Sequence, residues 1–128
     1  MRLLLDTHVA LWAIADSPQL PAKARQLILD PGNEIFTSAA SVWEISIKHS
    51  LGRGNMPISG EQAWEYFQAA GYLSLPITVE HAALVESLAA HHSDPFDRIL
   101  LAQAIREPLH LLTHDSLLAR YDAPVMIV

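Results

Sequence analysis

Asp6, Glu44, Asp97 and Asp115 are the residues of this chain best placed to do chemistry. Asp6 directly ends the apolar run Leu3-Leu4-Leu5, and Asp115 follows Leu111-Leu112-Thr113-His114. Glu44 lies in the apolar segment opened by Ala39-Ala40-Ser41-Val42-Trp43, and Asp97 just precedes Ile99-Leu100-Leu101-Ala102. Residues just past the carboxyl ends of parallel strands share the edge where α/β sheets bind ligands. Carboxylates gathered there repel one another and resist desolvation unless a cation neutralises them, so without metal their repulsion raises at least one pKa. Oxygen-only ligands suit a hard divalent ion such as magnesium or manganese.

Each acid also has a plain structural reading. Asp6 fits the N-cap of a first helix, and Asp115 that of a short helix after it. Ser41 with Glu44, and Asp94 with Asp97, have the spacing of capping boxes. Placement on the helices counts against this for two of them. Asp97 falls on one stripe with Leu101 and Ala104, and Glu44 on one stripe with Ile47 and Leu51, so both should face the interior. A charge on a buried stripe is costly unless paired or metal-bound. Asp94, followed by Pro95, is fully explained as a cap and stays outside the site.

The elements that must position these acids alternate along the chain. Arg2 to Leu5 reads as a buried strand and His8 to Ala15 as a helix, with Asp6 or Thr7 as cap. Pro21 opens a second helix through about Leu29, and Glu34 to Thr37 is a strand. Ser38 to His49 is helical, closed by Leu51-Gly52-Arg53-Gly54-Asn55. Glu61 to Ala70 is helical, and Leu73 to Ile77 is a short strand or an extended connection. Val79 to about His91 forms a helix with the stripe Leu84, Val85, Leu88 and Ala89. Asp94-Pro95 starts a helix to Arg106, stopped by Pro108. Leu109 to Thr113 and Val125 to Val128 read as strands, with a short helix from Ser116 to Arg120. This order predicts a mainly parallel sheet covered on both faces, in one domain spanning residues 1–128.

Composition narrows the classes further. The chain has 128 residues, 51% of them hydrophobic, which is generous for a small monomer and points to a contact with another chain. It has no cysteine, which excludes disulfides and thiolate metal sites and is compatible with the cytoplasm. A net charge of −6 argues against nucleic-acid binding by bulk charge. Acids consumed in a metal site leave the remaining surface nearer neutral, so an RNA substrate stays open. Asp6 and His8 interrupt the amino-terminal apolar stretch, which speaks against a signal peptide, and no segment has the length of a membrane span.

The motifs Leu5-Asp6-Thr7, Ser41-Val42-Trp43-Glu44-Ile45, Asp94-Pro95-Phe96-Asp97-Arg98 and Thr113-His114-Asp115 together resemble those of PIN-domain nucleases, above all the VapC-type toxins of bacterial toxin–antitoxin pairs. The resemblance spans nearly the whole chain and keeps the motif order. It implies a PIN-like three-layer α/β/α sandwich with an acidic site at the strand carboxyl edge. It also implies a magnesium- or manganese-dependent ribonuclease, a homodimer, and inhibition by a small antitoxin. An ion or ion pair held by Asp6, Asp97 and Asp115, with Glu44 beside it, would activate water and polarise the scissile phosphate. Thr7, Ser38 and Thr113 hydroxyls are placed to orient those carboxylates. Lys48 and Arg98 could contact phosphate, against the plain reading of Lys48 as an ion-pair partner of Glu44. The loop from Leu51 to Pro57 is a candidate for sequence specificity. An amphipathic antitoxin segment would fit an apolar groove near Trp12 and Trp43, with an arginine reaching the carboxylates.

Other readings are weaker. No two of the seven histidines share a predicted helix at the spacing of a zinc motif, and His81 belongs to an apolar stripe. Trp12, Trp43 and Trp64 suit packing or an interface better than base stacking. A haloacid-dehalogenase-type phosphatase needs a second acid where this chain has His8. A catalytically silent module with the same fold is opposed by the presence of all four acids.

Overall fold

The computed structural model describes residues 1–53, 55–91 and 93–128. Gly54, expected in a helix-closing loop, and His92, expected in a histidine pair, lie outside the described residues. The elements are β1 (Arg2–Leu5), α1 (Thr7–Ile14), α2 (Ala22–Leu29), β2 (Glu34–Ser38), α3 (Ala39–Ser50), α4 (Gly60–Ala69), β3 (Leu73–Leu75), α5 (Val79–Leu84), α6 (Pro95–Arg106), β4 (His110–Thr113) and β5 (Val125–Ile127). A 3-10 turn follows α5 at Val85–Ser87, and another, Ser116–Arg120, joins β4 to β5.

The five strands form one sheet in the order β3-β2-β1-β4-β5, and every pairing is parallel. Successive strand side chains point to opposite faces, so an apolar run serves two cores at once. Leu3 and Leu5 enter the core built with Val9, Ala24, Ile45, Ala63 and Phe67. Leu4 enters the other, with Ile99, Leu100, Leu101, Leu111 and Leu118. All three leucines are fully buried, each worth about 1.5–3 kcal/mol. The helices α1 to α4 thus cover one face, and α5 and α6 the other. This is the three-layer sandwich expected from the sequence, with a sheet that is wholly rather than mainly parallel.

Strand order reverses at β1. From there the chain winds outward through β2 and β3, then returns to place β4 on the other side. The β1/β4 crevice is therefore the topological switch point, where open α/β sheets bind ligands. Asp6 and Asp115 follow the two strands that flank it.

One expected element is too long. The helix read from Val79 to His91 ends as α-helix at Leu84 and, after one 3-10 turn, Leu88 is extended. The cause is Arg98, whose guanidinium donates to the carbonyls of Val85, Leu88 and Ala89 at 3.1, 3.4 and 2.9 Å. Those carbonyls gain a charged donor from another element, which offsets the hydrogen bonds a longer helix would have supplied.

The helix that carries Glu44 is seated against α4 by a close approach at Gly60. A β-carbon added there would stand 1.7 Å from Ser46 Oγ and 2.9 Å from the Val42 carbonyl oxygen. The serine can rotate, but the backbone oxygen cannot yield without moving α3. We expect Gly60→Ala to destabilise the fold by roughly 1–3 kcal/mol, as overpacking does. Urea denaturation checks this, and an unchanged midpoint would show that α3 and α4 separate easily.

Candidate active site

Asp6 and Glu44 are the two buried acids of the four, and the setting of Asp6 explains its properties. β1 is buried from Leu3 to Leu5, so its carboxyl end delivers Asp6 to a place with 5% exposure. Its Oδ1 accepts the Val9 amide at 2.9 Å and caps α1, and its Oδ2 accepts the Thr113 hydroxyl. The backbone of Asp6 continues the sheet ladder, donating to the Leu112 carbonyl at 3.0 Å. Burial pushes the Asp6 pKa above its usual value, and the Glu44 carboxylate pushes it the same way more weakly. The hydrogen bonds from Thr113 and Val9, and the charge of His8, oppose this without cancelling it.

Thr113 links the two sides of the switch point. Its hydroxyl donates to Asp6 and accepts the Asp115 amide at 3.1 Å. Thr113 is thus in contact with the Asp6 carboxylate. Asp115 caps the 3-10 turn through the Leu117 amide at 3.0 Å. Asp6 and Asp115 therefore both cap the elements that follow them while standing at the sheet edge.

Glu44 is buried on α3, 4% exposed, while Ile47 is half-buried and Leu51 is 58% exposed. The inward face read from the sequence therefore holds for Glu44 and Ile47 and fails at Leu51, where the helix ends. Lys48 pairs with Glu44 at 2.5 Å one turn on, the plain ion-pair reading. Ser41 does not cap this helix. Ser38 does, accepting the Ala40 amide at 2.9 Å. Asp97 stands half-buried in the first turn of α6, one turn before the fully buried Leu101. Asp94 caps α6 through the Phe96 and Asp97 amides, as expected.

Other hydroxyl and cationic residues take different partners from those expected. Thr7 donates to Ser41 at 2.9 Å in a buried contact between α1 and α3. Ser38 donates to Gln103 at 2.6 Å. Arg98 donates to three carbonyls and to the Tyr121 hydroxyl at 3.2 Å, which gives its guanidinium a structural task. The sequence offers Ser41 only as a cap or motif residue and His81 only as a packed one, and gives no sign of Gln103. Ser41 stands one turn before Glu44 on the same face, which is a signal that could have found it.

The donor set suits a hard cation: the candidates are carboxylates, and a raised pKa at Asp6 marks an anion that a cation would stabilise most. Among the described residues, no three His, Cys, Asp or Glu side chains converge as a ready ligand group. Asp6, Glu44 and Asp115 are engaged with Thr113, Lys48 and Leu117, and a carboxylate that accepts such contacts keeps lone pairs with which to bind an ion. On this chemistry, Asp6, Asp97 and Asp115 would hold the ion, with Glu44 close to Asp6.

An open, wholly parallel α/β sheet with acids at the edge beside its switch point defines a class of ligand-edge α/β domains. The comparisons narrow that class. The PIN domain model matches residues 3–124, and the chain belongs to the PIN domain family. Ribonuclease VapC22 of Mycobacterium tuberculosis is 30% identical over 98% of this chain and 97% of its own length. Among solved structures, VapBC2 from Rickettsia felis bound to a promoter DNA fragment superposes with a TM-score of 0.73 at 15% identity, covering 99% of this chain and 98% of that one. FitAcB from Neisseria gonorrhoeae superposes with a TM-score of 0.60 at 24% identity, covering 97% and 96%.

The raised pKa of Asp6 has a stability consequence in metal-free protein. The folded state holds this proton more tightly than the unfolded state, so Asp6 costs stability once ionised. That cost grows as pH rises from the unfolded value of 3.8 through the raised folded value, and is constant above it. Asp6→Asn keeps an oxygen for the α1 cap and removes the charge. In chelator, the variant should be more stable than the parent at pH 7, and the difference should shrink as pH falls towards 4. Urea titrations across this range check it, and a variant less stable at pH 7 would show that the ionised form is favoured.

Proposed function

We propose that this chain is a metal-dependent endoribonuclease that hydrolyses RNA phosphodiester bonds as the toxin of a toxin–antitoxin pair. The observation that carries the reading is the switch-point geometry, Asp6 and Asp115 joined through Thr113, in a chain 30% identical to a ribonuclease along its length. The residues proposed for the site are Asp6, Glu44, Asp97 and Asp115. A bound magnesium or manganese ion supplies Lewis-acid polarisation of the phosphate. The protein's own contribution is to hold Asp6 desolvated, to orient it through Thr113, and to keep Glu44 buried beside it. The Lys48 ammonium, 33% exposed and paired with Glu44, is the cation proposed to meet a phosphate.

For the partner, we propose a cognate antitoxin. A groove of about 520 Å³ lies between α1 and the segment leading into α4, lined by Leu11, Trp12, Met56, Pro57, Ile58 and Tyr66. It suits the apolar face of an amphipathic segment. Trp12 is part of it and Trp43 is not, since Trp43 packs edge-on against Phe96 at 5.0 Å. We propose a cytoplasmic location, in keeping with an RNA substrate. Among the described residues, no helix is long and apolar enough to cross a membrane.

A silent PIN-like binding module is favoured by one observation, the engagement of Glu44 by Lys48 with no ready three-ligand group among the described residues. Cleavage assays separate the two readings. We expect RNA cleavage with magnesium or manganese, weak cleavage with calcium, and none in excess chelator. Asp6→Asn and Asp97→Asn should each lower cleavage by at least about 100-fold, the upper range for disturbing a metal's outer contacts. Full activity in chelator would reject the metal mechanism, and metal-loaded protein that cleaves no RNA would favour the binding module.

Assembly gives a separate test. Light scattering of the free chain should report a dimer, and the complex with its antitoxin should lack nuclease activity. A monomer at micromolar concentration rejects the dimer, and an active complex rejects inhibition by covering the site.

A further inference from the structure

A second buried polar cluster lies behind the amino end of α3 and has no task in the chemistry above. Ser38, Gln103 and His81 are 1%, 0% and 0% exposed. Ser38 Oγ donates to Gln103 Oε1 at 2.6 Å while accepting the Ala40 amide at 2.9 Å, so it closes the first turn of α3. The Gln103 amide is held from its other side. Its Nε2 donates to the Pro76 carbonyl at 3.3 Å and to His81 Nδ1 at 3.5 Å. His81 Nδ1 also receives the Thr78 amide at 3.0 Å and so carries no proton, which leaves Nε2–H to donate to Glu107 at 2.6 Å.

These contacts fix the direction of every bond in the chain. Turning the Gln103 amide over would set its oxygen against two acceptors, Pro76 O and His81 Nδ1. No buried side-chain nitrogen or oxygen among the described residues lacks a partner. An apolar residue would fill the space beneath the sheet edge without such demands, so what glutamine adds is orientation. The orientation is delivered at one place, the start of the helix that carries Ser41, Glu44 and Lys48.

We propose that Gln103 is a positioning residue for the acidic edge. Through Ser38 it seats the first turn of α3, and so sets where the Glu44 carboxylate stands relative to Asp6. The effect on cleavage rests on the ribonuclease reading, whereas the effect on α3 does not.

The test uses Gln103→Leu in the full chain, with amide hydrogen exchange and RNA cleavage as readouts. Exchange from Ala40 to Trp43 should rise about 10-fold or more, while β1 and β4 keep their protection. The kcat should fall roughly 10- to 100-fold with KM changed less than about 3-fold. In a Ser38→Ala background, Gln103→Leu should add less than about 2-fold to either readout, because its route is already cut. Unchanged exchange in the first turn of α3 overturns the proposal. So does exchange that rises equally across the sheet, or a full effect in the Ser38→Ala background, since either marks a residue of the core only. Should Gln103→Leu not fold, Gln103→Met is read by the same exchange criterion. If the unmodified chain cleaves no RNA, the ribonuclease reading fails while the exchange measurement still decides the role of Gln103.

Discussion

A carboxylate at the end of a strand buried from Leu3 onward is the constraint around which the rest of this structure is arranged. β1 has no exposed leucine, and its parallel neighbours on both sides leave Asp6 only the carboxyl edge on which to emerge. There the group is still largely out of water, and the chain answers with a capping amide from α1 and a hydroxyl from β4. Two hydrogen bonds do not cancel the loss of hydration, which is why burial outweighs them in setting the pKa. Repulsion between acids, which the sequence suggested as the main cause, is the smaller contribution.

The sheet and most helices could be read from the chain because their signals are local. Leu3-Leu4-Leu5 and Leu111-Leu112 are short buried runs, and Asp94-Pro95 marks a helix start that falls where the structure puts it. Ser38, which directly precedes the apolar stretch from Ala39, caps α3, and Ser41 lies inside it. The helix after Thr78 failed for a reason outside its own sequence: its end is set by Arg98, reaching back from α6 to three of its carbonyls.

The same distinction divides the site. The four acids were visible as charges on buried positions, a local contradiction that a sequence displays. Lys48, one turn from Glu44, was legible as its partner, whereas the pairings made across distant segments were not. Ser38 and Gln103 are 65 residues apart, and Thr113 and Asp6 are 107 apart. Only the strand order brings them together, and a hydroxyl offers no sign of which neighbour it will choose. Thr7 shows this well, since it turns to Ser41 and leaves Asp6 to Thr113.

The edges of the sheet carry a consequence for recognition. β3 and β5 are three residues each, so either border offers about 10 Å of open backbone at ~3.3 Å per residue. Pro76 directly follows one strand and Pro124 directly precedes the other, and neither can donate a main-chain hydrogen bond. Strand addition, the general glue of unrelated polypeptides, therefore finds almost no foothold here. Binding another chain must instead proceed through the shape and chemistry of helical faces, which differ from protein to protein. A molecule built this way is selective in its company before any particular contact is made.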